Sequence, residues 1–188
     1  MSLVEKRGIH AMRIEDITER ADVGKGVFYN YFDAKEALVA ALVQEGVELL
    51  DRDYLSGLPS EPDMAQRIAA LANAQESFYR EHPDYALLFH QARGLLHLGG
   101  ARGASLRGAF AAYLDRLSTL LSSGHEHDGL NSSDLVDIAA LMAGATAGYR
   151  SFCIAAEREP GPATVGRALM AGLPRLLEER RGARPTDA

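Results

Sequence analysis

The chain has 188 residues, a net charge of −6 and 47% apolar residues. That length suits one domain, or a small domain fused to a larger one, and the apolar share can fill a sizeable core. A single cysteine, Cys153, excludes an intrachain disulfide framework, and the acidic balance excludes any general attraction to nucleic acid, so such binding must rest on local charge placement.

No apolar run reaches the roughly 20 residues of a membrane helix, and the first residues lack the charged, then apolar, pattern of a signal peptide. The expectation is a cytoplasmic protein with no membrane partner. Ala, Leu, Arg and Glu dominate, which with helical periodicity predicts an all-α chain. Gly8 is expected to end a very short opening helix. Ile14 to Ala21 reads as a second helix, with Ile14, Ile17 and Ala21 on one face. Asp22 tolerates a left-handed turn, Val23 plugs the angle between the helices, and Gly24 is an acceptable N-cap. Two short helices joined in this way form a helix-turn-helix.

Projected at helical spacing, Lys25 to Phe32 places Phe28 and Phe32 on one buried face. Gly26, Val27 and Asn30 lie opposite, flanked by Tyr29 and Tyr31. Gly26 permits close backbone approach to a groove, Val27 can touch a thymine methyl, and Asn30 has the amide geometry to pair with adenine. The tyrosine hydroxyls can reach phosphates. Asp33 and Glu36 are expected to form a capping box, leaving Lys35 beside free amides to grip another phosphate. A continuous helix from Ala34 to about Leu55 follows, then a linker at 56–63. Helical patterns cover 64–82, 84–98, 105–122, 133–156 and 163–180, separated by a break at Pro83, a glycine-rich loop at 97–105, and polar loops at 122–134 and 157–164. A boundary falls near residue 50.

The stretch "GIHAMRIEDITERADVGKGVFYNYFDAKEALVAAL" resembles the N-terminal domain of the tetracycline-repressor (TetR) family of bacterial transcriptional regulators. The likeness runs over about residues 3–46. It rests on the Gly-x-His-Ala opening, the Ile-x-Asp-Ile helix, the Lys-Gly-x-Phe-Tyr-x-Tyr-Phe helix and the Lys-Glu-x-Leu that follows. The resemblance implies a three-helix DNA-binding domain over 1–46, joined by a long helix to a helical effector-binding and dimerisation domain over 47–188. It implies a DNA-facing set of Lys25, Gly26, Val27, Tyr29, Asn30, Tyr31 and Lys35. The family usually carries Thr or Ser around positions 12 and 13; Met12 and Arg13 stand here, so that phosphate contact passes to Arg13. The family's first helix runs about three turns; only Leu3 to Arg7 remains, and a missing natural start is the expectation. Residues 1–46 hold eight acidic against six basic side chains, without the usual basic surplus.

Residues 135–156 are apolar nearly all round, with Gly144 and Gly148 four apart, and 165–177 are similar, with Gly166 and Gly172. Such helices belong either inside one domain or in an isologous dimer interface. The resemblance implies the interface, formed around Gly144, Gly148, Gly166, Leu169, Gly172 and Leu173. It also implies a small-molecule effector whose binding releases a near-palindromic duplex operator. Candidate pocket residues are Phe78, Tyr85, Phe89, His90, Arg93, Phe110, Tyr113, Met142, Tyr149, Arg150 and Phe152; an aromatic at helical spacing is also ordinary core. Arg150, alone in an apolar helix, can pair with an acidic effector or with Asp137 or Glu157. No nucleotide-binding or hydrolase motif is present, and no cofactor or catalytic residue is expected. Two other readings remain: a helical-bundle metal enzyme using His90 and His97, seven apart, and an architectural DNA binder without an effector. The tract "HEHD" at 125–128 reads as a solvated loop.

Overall fold

A computed structural model describes residues 3–58, 63–97, 100–123 and 130–172, all helices and turns, with no strand among them. In chain order the helices are α1 (Leu3–Ala11), α2 (Ile14–Arg20), α3 (Lys25–Tyr31), α4 (Lys35–Leu50), α5 (Met64–Glu81), α6 (Pro83–Ala92), α7 (Gly100–Ser122), α8 (Ser132–Ala155) and α9 (164–172). One π turn, Asp51–Leu55, carries α4 onward, so the long connecting helix expected from the sequence is present in two windings. Pro83 opens α6 at its first turn, where a missing N–H costs nothing.

α1 does not stop at Gly8. It kinks there, at φ 70° and ψ 158°, and resumes to Ala11. That conformation is essentially confined to glycine, and it frees the amide of Ile9 from the helical ladder. The freed N–H donates to Gln91 Oε1 of α6 at 2.7 Å. The last carbonyls of α1 find a different partner. Lys35 Nζ donates to the carbonyls of Ile9 at 2.9 Å, His10 at 3.2 Å and Met12 at 3.0 Å. A cation at a helix C-terminus meets both the orphan carbonyls and the negative end of the dipole.

The start of α4 departs from expectation. Its N-cap is Ala34, with no side-chain cap bond, so Asp33 stands one residue too early to close a box with Glu36. Val23 is exposed rather than a plug, and Thr18, not Ala21, is the buried residue of α2. Residues 100–105, expected in a loop, already belong to α7.

The main core lies where α4 packs on α7, α7 on α8, and α5 and α6 on α8. Phe78, Tyr79, Phe89, Leu106, Tyr113 and Met142 are sealed within it. α4 and α6 approach closely at Gly46, where an added Cβ would sit 2.5 Å from Tyr85 Cδ1 and 3.0 Å from Phe89 Cζ. By length and composition α8 is apolar enough to cross a membrane, at a mean hydropathy of 1.3, contrary to expectation. Here it is the helix on which α5, α6 and α7 converge. An Asn131–Asp134 capping box starts it: Asp134 N donates to Asn131 Oδ1, and Asn131 N to Asp134 Oδ2, each at 3.0 Å.

Replacing Lys35 with Met, which keeps the stem and removes the ammonium, is expected to lower unfolding free energy by about 1–3 kcal/mol through the orphaned carbonyls. Urea denaturation checks it; an unchanged midpoint refutes the capping role.

Candidate nucleic-acid interface

α2 ends in a left-handed residue, Asp22 at φ 53°, with Val23 N bonded back to Thr18 O at 3.0 Å. Gly24 then takes an extended N-cap conformation, and α3 begins at Lys25. The turn chemistry is therefore the one legible in the sequence. Phe28 is the buried residue of α3; its ring lies 5.6 Å from Phe32 and edge-on to Tyr29 at 5.5 Å.

The other face of α3 is presented outward as expected. Val27 is 42% exposed, Tyr29 54% and Tyr31 77%, and Gly26 and Asn30 are also exposed. No heavy atom lies within 4 Å of where a Cβ on Gly26 would stand, so its backbone is open to close approach. Lys25 is exposed and ion-paired with Glu15 of α2. That pairing, followed by a backbone hydrogen bond, holds the Glu15 carboxyl below its usual range. Arg13 is the extended N-cap of α2, with an exposed side chain. Its amide donates to Asp16 Oδ2 at 2.9 Å, and Arg7 donates to Asp16 Oδ1 at 2.7 Å.

Lys35 is the exception in this set. It is half-buried and its ammonium is committed to the end of α1, not directed at a free phosphate site. Spacing placed it near the N-terminus of α4; the carbonyls it serves lie more than twenty residues upstream.

The expected effector residues do not converge on one cavity. Phe78, Phe89, Phe110, Tyr113 and Met142 are core, with the Phe89 ring 5.9 Å from Tyr113 and 6.2 Å from Phe110. Arg93 is spent on α8, donating to Ala143 O at 2.9 Å. Phe152 is 71% exposed on the outer face, beside His90, with ring centroids 6.0 Å apart. Desolvation, then Arg93, lowers the pKa of His90. Because α6 ends at Ala92 and passes into a 3-10 turn, helical spacing no longer relates His90 to His97, which is exposed. Among the described residues no three His, Cys, Asp or Glu side chains are grouped to hold a metal. The 125–128 tract lies outside the described residues.

Two openings do exist. Tyr85 lines an apolar groove of about 290 Å³ between α1, α2, α4 and α6, with Val4, Met12, Ile17, Leu38, Leu42 and Leu88, and with Arg20 and Asp84 also on its wall. Tyr149 and Arg150 line a smaller recess of about 100 Å³ with Glu76, Arg80, Thr146 and the 160–163 loop. A buried polar cluster went unread in the sequence. Gln75 Oε1 accepts from Tyr113 Oη at 2.8 Å and from Thr146 Oγ1 at 2.9 Å. Burial raises the phenols of Tyr113 and the nearby Tyr79 well above their ordinary range.

The interface residues separate as well. The α8 stripe Leu141, Ala145, Gly148, Phe152 faces outward, with Leu141 67% exposed. Among the described residues nothing stands within 4 Å of a Cβ on Gly148 or Gly172. Gly144 is half-buried beside Arg93, and Leu169 packs on the core. Gly166 is buried against α5 of its own chain, where a Cβ would stand 2.7 Å from Asn73 Oδ1. Leu173 lies outside the described residues.

Residues 1–42 match the profile of the bacterial regulatory proteins of the tetR family. Over 84 residues the chain is 31% identical to an HTH-type transcriptional regulator in the lacX 3′ region of Lactococcus lactis subsp. lactis, covering 45% of this chain and 40% of that one. Over 85 residues it is 35% identical to the HTH-type transcriptional activator FasR of Mycolicibacterium smegmatis, covering 44% and 38%. The matches thus span about two fifths of these relatives' length. The fold as a whole is similar to that of the transcriptional regulator FadR from Bacillus subtilis in complex with stearoyl-CoA, at a TM-score of 0.65 and 16% identity over 93% of this chain and 91% of that one. At that identity the likeness establishes the fold, an N-terminal helix-turn-helix unit on a larger helical domain. The turn geometry, the outward face of α3 and the matched residues agree: over residues 1–42 the chain is similar to the tetR family of bacterial regulatory proteins.

Proposed function

We propose that the chain is a dimeric, ligand-responsive transcriptional regulator that reads duplex DNA through α3 and releases a near-palindromic operator when a small molecule binds the larger domain. The observation that carries this reading is the exposed Gly26, Val27, Tyr29, Asn30, Tyr31 surface on a helix anchored by Phe28. A helix fits the major groove, and an amide with an adjacent β-branched side chain can read adenine and thymine there. Arg13 and the tyrosine hydroxyls supply phosphate contacts, and Lys25 does so by exchanging Glu15 for a phosphate. The matched relatives named above are regulators of transcription, one of them an activator. Release, and hence repression, is the mode that the coupling geometry below supports.

The partner surface is the outward α8 stripe with the exposed side of α9. Leu141 and Phe152 are large, apolar and mostly exposed, and the small residues between them leave room for a second helix. A two-fold pair would set two copies of α3 in successive major grooves, about 34–36 Å apart.

Coupling runs through α4 and α6. α4 starts beside α3 and meets α6 at Gly46 with no space to spare. α6 in turn grips α1 through Gln91. A ligand that shifts α6 moves both supports of the reading helix.

Selection from a random duplex pool is expected to yield a palindromic sequence, and Asn30→Ala to relax preference at one position by roughly 1–3 kcal/mol. A pool that yields no consensus removes the reading. Gly148→Asp leaves the protomer unstrained, since its surroundings are open, and is expected to shift sedimentation from dimer to monomer at micromolar concentration. Wild-type protein sedimenting as a monomer contradicts the dimer. Gly46→Ala forces α4 and α6 apart. It is expected to cost about 1–3 kcal/mol of stability and, by mimicking the ligand-shifted state, to weaken operator binding about 5- to 150-fold. Operator affinity unaltered in a folded Gly46→Ala protein disproves this coupling route.

A further inference from the structure

The recess between α5, the end of α8 and the 160–163 loop has a distinct chemistry. Arg150 enters it from α8 and Arg80 from α5. Among the described residues the buried Arg150 Nε has no hydrogen-bond partner, an expensive state for a charged donor. Arg80 bonds the hydroxyl of Ser77 at 2.8 Å. Neither guanidinium has a carboxylate within 4 Å among the described residues.

The carboxylate on the wall is already taken. Glu76 Oε2 accepts from Thr164 N at 3.0 Å, and Oε1 accepts from Val165 N at 2.6 Å and Gly166 N at 3.3 Å. These are the first amides of α9, so Glu76 serves as the anion at that helix's N-terminus. Its oxygens are committed to those amides, and it forms no ion pair with either arginine.

The wall is also set in advance. Tyr149 Oη accepts from Gly161 N at 3.1 Å and donates to Thr164 Oγ1 at 3.4 Å. Thr164 Oγ1 donates back to Gly161 O at 2.9 Å. Pro160 and Pro162 restrict the loop further. At about 100 Å³ the recess has room for one compact group.

We propose that this recess binds an oxyanion, a carboxylate or a phosphoryl group, held by the forked guanidinium of Arg150 with Arg80 closing the open side. A planar guanidinium meets either group through two parallel N–H donors, which a lysine cannot do. The bound anion would give Arg150 Nε its missing acceptor. In the larger domain of a ligand-responsive regulator, this makes the acidic end of the effector the group recognised here. The proposal deepens the reading above and rests on it only for the consequence for DNA binding.

The test is calorimetric titration of the full-length chain with sodium phosphate and, separately, sodium acetate, in chloride matched for ionic strength. Saturable binding of at least one anion is expected. Stronger phosphate binding points to a phosphorylated effector, and stronger acetate binding to a carboxylic acid. Arg150→Gln is expected to weaken it roughly tenfold or more, and Arg80→Gln to weaken it measurably. No saturable binding of either anion, or wild-type affinity in folded Arg150→Gln, overturns the proposal. Should Arg150→Gln fail to fold, the exposed Arg80→Gln decides, and unchanged affinity there overturns the two-arginine site. The titration contains no DNA, so its failure and a failure of duplex binding are read separately.

Discussion

A helix that ends inside a joint must hand its unpaired backbone groups to something else. α1 does so twice. Its kink releases the Ile9 amide to Gln91, and its last carbonyls converge on Lys35. The two partners lie on opposite sides of the joint, one on α6 and one on α4. The small N-terminal unit is therefore tied to the larger domain both by a hydrogen bond at α1 and by apolar packing, since Ile9, Val39 and Val43 are sealed in one core cluster with Phe89, Leu106 and Met142. α3, only seven residues long, could not persist alone. It holds its place because α2 and the start of α4 are held by α1.

Local chemistry was legible in the sequence; chemistry between distant residues was not. Asp22 at positive φ, Gly24 as N-cap, Pro83 at a helix start and the Phe28–Phe32 anchor all follow from residue preferences within a few positions. Lys35 and Glu76 were misread or unread because their partners are remote in the chain, and no periodicity encodes a lysine that caps another helix. The apolar list for the larger domain failed for a different reason. Helical spacing says that Phe89 and Phe152 are apolar and regularly placed. Whether a neighbour covers them depends on packing: Phe89 is sealed and Phe152 is open. Gly166 shows the same limit, since a small residue permits close approach without saying whether the approaching helix belongs to the same chain.

The electrostatics of the N-terminal unit bear on how it would read DNA. Its acidic side chains outnumber its basic ones, and Lys25 and Arg7 already face carboxylates of α2. Each phosphate contact made by such a pair must first displace an internal partner, so its net gain is small. Non-specific affinity and the salt slope scale with the number of phosphates neutralised, and on the proposed reading both would be low. On the reading proposed above, discrimination would fall to Gly26, Val27 and Asn30, which carry no charge and would lose little in salt.

The end of α6 joins the two proposals mechanically. Arg93 Nη2 holds Ala143 O of α8 at 2.9 Å, and Gln91, two residues earlier, holds α1. Arg150 lies about two turns further along α8 from Ala143. α8 is a single helix across that interval, so on the proposal above a pull on Arg150 by a bound anion would be carried to Ala143 along one element. Ala143 cannot slip without stretching the Arg93 bond, a charge-assisted contact of about 1.5–3 kcal/mol. That matches the 1–3 kcal/mol typical of coupling between two sites, so one such contact is enough to carry it. The strain would then pass through the short segment from Arg93 to Gln91 and reach α1 at the kink, where Gln91 Oε1 accepts from Ile9 N. That bond, from Ile9 N to Gln91 Oε1 at 2.7 Å, would be the contact through which a movement of α6 reaches α1.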